Sequence, residues 1–300
     1  MKAKVFTRRQ FLKLSVSAAA TLGLSRLPMG EKLFAQSTPS KKPAVIWLEG
    51  QDCAGCTESV FSCLTPDLRS VLLDVIDIRY HETVMAGTGA PAESALDAAI
   101  ADGGYVLVVE GSIPIADPRY LMVGGQSVET TFVEAAANAA VILAVGSCAA
   151  FGGIPRIGIP QGKPVSYILS SHSISKTYIN LPGCPLHPTW FFDTVLDFLA
   201  GNSISLDSSK RPLTHYGSKI HTNCPRRTSN SSKKFLSDWN AASQQGFCLY
   251  NKGCKGKETY ADCPSLKWND GVNWCIGNNA PCSGCTESKF YDQLSPIYSR

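Results

Sequence analysis

Between Pro43 and about Ala200, short and almost unbroken apolar runs alternate with stretches in which apolar residues return every three or four positions. The runs 44–48, 72–78, 105–109, 141–145 and 177–180 predict strands, and the amphipathic stretches 92–101, 128–139 and 189–199 predict helices between or after them. Strands apolar on both faces and alternating with helices imply an α/β fold with a parallel sheet. After Gly201 the pattern fades. The last hundred residues hold seven cysteines and much Ser, Asn, Gly and Lys, with few periodic apolar segments. That stretch predicts a smaller, irregular, mostly helical and loop-built domain whose folding depends on what its cysteines bind.

Length and charge narrow this picture. Three hundred residues divide into a leader at 1–35, an α/β domain at 41–200 and a second domain at 201–300. At 44% hydrophobic and 17% charged, the chain has ample material for a core. The formal charge of +4 includes the basic N-terminus, and no long basic patch is interleaved with aromatics. Nucleic acid is therefore not an expected partner.

The leader itself is informative. Thr7-Arg8-Arg9-Gln10-Phe11-Leu12-Lys13 precedes an apolar run over 14–24 and a small-residue site at Leu33-Phe34-Ala35. The run falls short of the roughly 20 residues a membrane span needs. The pattern predicts twin-arginine export to the periplasm and cleavage near residue 35. That route carries proteins already folded, so cofactors can be inserted first. The C-terminal region, ending in residues 294–300, holds no apolar 20-mer, and no membrane-spanning segment is expected in the mature chain.

Eleven of the twelve cysteines, with one histidine, sort into three sets of four. Cys53, Cys56, Cys148 and Cys184 each follow a predicted strand, and ligands in open α/β sheets gather beyond the carboxyl ends of strands. Four thiolates suit a 4Fe-4S cubane. Cys53-x-x-Cys56 alone would equally suit zinc or a redox dithiol. The second set is His221, Cys224, Cys248 and Cys254, which in isolation would favour zinc or a surface histidine. The third is Cys263, Cys275, Cys282 and Cys285, flanked by Trp268 and Trp274, with disulfides as its rival. Twelve cysteines in 300 are thin for a disulfide scaffold, which runs above about 8–10%. Cys63 is left over and reads as a buried thiol on the helix after the first loop. Gly87-Thr88-Gly89 and Val123-Gly124-Gly125 lack the spacing of a nucleotide loop.

Together these residues resemble the small subunit of a periplasmic nickel–iron hydrogenase. The likeness is carried by the leader, residues 45–56, Val108-Val109-Glu110-Gly111-Ser112-Ile113-Pro114, residues 146–155, 182–188 and 221–225, and the third cysteine set at 263–285. It implies a flavodoxin-like N-terminal domain and three iron–sulfur clusters, with the first set proximal, the second with His221 distal and the third medial. It also implies a hydrogenase large subunit bearing nickel and iron, and an external acceptor such as a multihaem c-type cytochrome. No residue of this chain is then needed as a general acid or base.

Departures from the resemblance carry expectations of their own. Ordinary members have proline where this chain has Cys275, and a three-iron medial cluster. A fourth thiolate implies a 4Fe-4S medial cluster, as in the nickel–iron–selenium branch; a 3Fe-4S centre would mean that Cys275 is not a ligand. Oxygen-tolerant members carry cysteines where this chain has Gly55 and Gly153. Asp52 either caps the loop backbone or takes part in proton exit, and His187 either satisfies a structural bond or reaches a cluster sulfur. Two other readings differ in class: a free multi-cluster electron carrier, and a disulfide-stapled exported binding protein. A deazaflavin-reducing hydrogenase is disfavoured by the leader, and the similar one-cluster protein of respiratory complex I lacks the last two sets.

Overall fold

The computed structural model describes residues 42–64 and 66–290. The leader and its export pattern lie outside them. The main sheet comprises β1 (Ala44–Glu49), β2 (Asp77–His81), β3 (Val106–Glu110), β4 (Val141–Val145) and β5 (Tyr178–Leu181). All its pairings are parallel, in the order β2-β1-β3-β4-β5, the flavodoxin-like arrangement. The α/β expectation holds.

Register aligns the strand ends that matter. Glu49 of β1 stands opposite Glu110 of β3, Glu110 opposite Val145 of β4, and Val145 opposite Leu181 of β5. Three loops bearing the first cysteine set therefore leave one edge of the sheet together. Cys56 is carried on α1 (Gly55–Phe61), Cys148 on α4 (Gly146–Phe151), and Cys184 lies three residues past β5. Between these come α2 (Ala90–Asp102) and α3 (Val128–Asn138), followed by α5 (Val165–Ser171) and α6 (Pro188–Leu199).

Both faces of the sheet are covered, which is why its strands read as continuous apolar runs. On one face Ile46, Leu107, Val109 and Ile142 pack with Phe132, Ala135 and Ile168 from the helices. On the other, Val45, Trp47, Val108 and Leu143 pack with Trp190, Phe191 and Val195 of α6. That second core continues into the C-terminal segment through Tyr216, Ile220, Leu249, Trp274 and Ile276. The irregular segment is thus folded against the sheet's α6 side.

One predicted strand needs correction. Residues 72–78 do not form a single strand: Val71–Val75 is a wide helical turn, closed by Ile76 N–H donating to Val71 O at 3.1 Å, and β2 begins at Asp77. Asp67 caps the preceding turn by accepting from Ser70 N–H at 2.7 Å. A short apolar run buries equally well as a helical turn or a strand, and periodicity alone does not separate them. Nor does the periodicity predict helices α4 and α5, which are only six and seven residues long. Among the described residues no helix is long and apolar enough to cross a membrane.

Candidate metal centres

The first set forms around Glu110, a carboxylate buried at the end of an otherwise apolar strand. It accepts from Cys56 N–H and Thr57 N–H, both at 2.9 Å, from Thr57 Oγ1 at 2.6 Å and from Trp47 Nε1 at 3.2 Å. Those amides open α1, so Glu110 caps the helix and fixes Cys56 in place. Burial raises the Glu110 carboxyl above its ordinary range. Asp52 caps the same loop, accepting from Ala54 N–H at 2.9 Å, while burial pushes its carboxyl up to about 7.

Ser147 ties the other ligand loops together. Its N–H donates to Gly183 O at 2.9 Å, and Gly183 N–H donates back to Ser147 Oγ at 3.0 Å. The same hydroxyl donates to Cys285 O. Close approach requires glycine twice here. Gly146 has φ +77° and a Cβ there would lie 2.5 Å from Cys56 Sγ; Gly153 has φ +54° and a Cβ would lie 2.6 Å from Cys148 Sγ. The first set's sulfurs thus fill space that bare backbone leaves open.

The second set lines a partly open pocket, into which His221, Cys224, Cys248 and Cys254 all face, with Arg226, Lys257 and Ile276 beside them. Asn230 Nδ2 donates to Cys248 Sγ at 3.3 Å. Burial, with the nearby Lys257 and Arg227 cations, holds His221 below its ordinary value.

In the third set, Cys263 and Cys282 are buried, Cys285 is half-buried and Cys275 is exposed. The Cys285, Cys282 and Cys275 thiols are each near enough to raise the Cys263 thiol further, after burial itself. This set also borders both others. The Cys184 backbone hydrogen-bonds the Cys285 thiol, and Cys282 N–H donates to Cys254 Sγ at 3.4 Å. In space the order is first, third, second.

The residues present fit iron–sulfur clusters. All twelve cysteines are free thiols. Burial pushes Cys148 and Cys285 up to about 12, and Cys56 and Cys263 well above their ordinary value. Thiolates become favourable at such positions only when a metal takes the proton's place. Among the described residues no three His, Cys, Asp or Glu side chains crowd onto one point as ligands of a single ion do. The second set instead lines a partly open pocket.

Three minor candidates find their places. His187 Nε2 donates to Lys267 O at 2.5 Å and Nδ1 accepts from Thr189 N–H at 3.2 Å, so both nitrogens are committed to structure. Trp268 sits edge-on to His187, with ring centroids 4.8 Å apart, as local core. Cys63 lies past the end of α1 rather than on it and is only half-buried; its thiol donates to Val60 O and Pro66 O. The sequence pattern assigns no role to Glu110 or Ser147. A lone charge closing an apolar strand is the available signal for Glu110; Ser147 offers none.

Comparison with known proteins agrees with this geometry. Residues 216–298 match the family model for the C-terminal region of the NiFe/NiFeSe hydrogenase small subunit, and residues 53–198 match that for the 20 Kd subunit of NADH ubiquinone oxidoreductase. The chain is 36% identical to the periplasmic NiFe hydrogenase small subunit of Solidesulfovibrio fructosivorans, over 98% of this chain and 93% of that one. It is 37% identical to the periplasmic NiFeSe hydrogenase small subunit of Desulfomicrobium baculatum, over 97% and 98%. The solved NiFeSe hydrogenase of Desulfovibrio vulgaris Hildenborough superposes with a TM-score of 0.81 at 36% identity, covering 88% of this chain and 100% of that one. Sheet order, clustered thiols and near-full-length likeness converge: the chain belongs to the NiFe/NiFeSe hydrogenase small-subunit family.

Proposed function

We propose that this chain is the electron-relay subunit of a periplasmic hydrogenase, holding three 4Fe-4S clusters between a nickel-bearing large subunit and an external acceptor. Bound clusters supply one-electron redox chemistry. Cys53, Cys56, Cys148 and Cys184 would hold the proximal cluster, and Cys263, Cys275, Cys282 and Cys285 the medial one. His221, Cys224, Cys248 and Cys254 would hold the distal cluster. The observation that carries this reading is the third set's contact with both others through Cys184–Cys285 and Cys254–Cys282.

The chain's own residues set the electrical environment. Leu186 N–H on Cys56 Sγ at 3.4 Å, Asn230 Nδ2 on Cys248 Sγ and Cys282 N–H on Cys254 Sγ stabilise negative charge on sulfur. Trp274 and Ile276, both buried, exclude water beside the third set.

A role within a larger complex is favoured over a free carrier by Ile154, Ile157 and Ile159, which are 46%, 60% and 79% exposed. They follow the Cys148 helix, whose loop abuts that thiol at Gly153. Exposed apolar residues grouped beside a ligand set mark a partner interface. The reading further includes twin-arginine export, division near residue 200, kinship with the nickel–iron–selenium branch, and a multihaem c-type cytochrome as acceptor.

Anaerobic purification of the native exported complex tests this. About twelve cluster irons per chain with a co-purifying nickel protein is the expected result. Iron without nickel or a partner would favour the free carrier, and no iron would sink both.

A further inference from the structure

The charges of this chain are segregated. Residues 43–216 carry eight lysines and arginines against seventeen acids, whereas residues 217–260 carry eight against two, Asp238 and Glu258. The basic stretch is the one that builds the second ligand set. Arg226 and Lys257 line its pocket. Arg227 reaches Thr222 O, beside His221, at 3.2 Å. Lys219 lies two residues before His221, is exposed, and stands over the Tyr260 ring at 5.3 Å. Lys233 and Lys234 are exposed, and Lys234 O accepts from Cys248 N–H at 3.0 Å. Trp239, 48% exposed, has Lys252 over its ring at 5.5 Å.

We propose that this basic rim, with Trp239 within it, is the docking surface for an acidic electron-carrying protein. This rests on the assignment of the second set as the distal cluster and specifies the acceptor of that site. Opposite charge steers encounter and orients the partner without requiring a large contact. Electron-transfer encounters bury less than about 1,200 Å², which a rim around one pocket can supply. The acidic stretch 43–216 repels such a partner, so the charge segregation selects where contact occurs as well as how fast.

The test uses the intact complex with its large subunit. Hydrogen-dependent reduction is followed for an acidic and a basic monohaem c-type cytochrome of similar potential, and for a small dye. At low salt the acidic cytochrome should be reduced about tenfold faster, a preference that vanishes near 0.3 M salt. The combined change Lys219→Glu, Lys233→Glu and Lys234→Glu should abolish that preference and leave dye reduction intact. Faster reduction of the basic cytochrome, salt-independent rates, or an unaffected triple variant would overturn the proposal. So would binding to anionic but not neutral phospholipid vesicles that the variant loses while its cytochrome rates stand, which would assign the rim to a membrane surface. Failure of dye reduction in a complex without iron would instead strike the distal-cluster assignment, and the docking surface with it.

Discussion

His215 Nδ1 stands 2.8 Å from Asp262 Oδ2, and Asp262 directly precedes Cys263 of the third set. Its other nitrogen lies 3.3 Å from Asp193 Oδ2 of α6, and Trp190 Nε1 donates to Asp262 Oδ1 at 2.8 Å. A buried imidazolium between two carboxylates thus joins the sheet's helix to the C-terminal segment.

This linkage predicts a pH-dependent stability. Burial opposes the His215 charge, but Asp193 and Asp262 outweigh it and raise the group from 6.5 to about 9. A histidine with a raised folded pKa contributes fully below its unfolded value and loses that contribution as pH climbs through the folded one. Between pH 7 and 10 the complex should lose on the order of 3 kcal/mol from this group. The urea midpoint measured across that range should fall, and His215→Asn should flatten the curve. Identical curves for the two proteins would refute the assignment.

Glu110→Ala should cost at least about 3 kcal/mol, because it strands the Cys56 and Thr57 amides and the Trp47 indole N–H, each buried donor being worth about 1–3 kcal/mol. Cys56 should lose its fixed position as α1 loses its cap. Thermal denaturation and iron content of the purified complex read these two effects together; an unchanged melting temperature would count against the capping role.

Gly146→Ala should expel iron from the first set while leaving the fold. The added methyl falls 2.5 Å from Cys56 Sγ on a backbone at φ +77°. A loss of about four irons per chain, with an unchanged far-ultraviolet dichroism spectrum, is expected. Full iron retention would show that the thiol has room to move.

Cys275→Pro should convert the medial centre to three irons, lowering the count by about one per chain and adding the paramagnetic signature of an oxidised three-iron cluster. Because Cys275 is exposed whereas Cys263 and Cys282 are buried, the fold should tolerate the change. A count that stays the same would remove Cys275 from the ligand set.

The parallel sheet is legible because its strands are buried on both faces, so apolar composition alone marks β1, β3 and β4. The run at 72–78 misleads for the same reason: Val71, Val75 and Ile76 are buried whether the backbone winds or extends. The gathering of Cys53, Cys56, Cys148 and Cys184 follows from strand ends. Spacing cannot reveal Ser147, whose hydroxyl links the Gly183 and Cys285 backbones across 36 and 138 residues. Nor does it reveal the His215 pair, because Asp193 and Asp262 are remote in sequence and look like ordinary surface acids. Side-chain bonds between distant segments leave no periodic trace.

The contact of Cys285 with Cys184, and of Cys282 with Cys254, also separates the order of synthesis from the order in space. The third set, last in the sequence, occupies the middle. On the proposed assignment, a chain without residues 263–285 would keep the residues of both outer sets with a gap between them. On the same proposed assignment, the two outer sets stay unjoined until residues 263–285 fold between them, so that one segment decides whether a path exists at all.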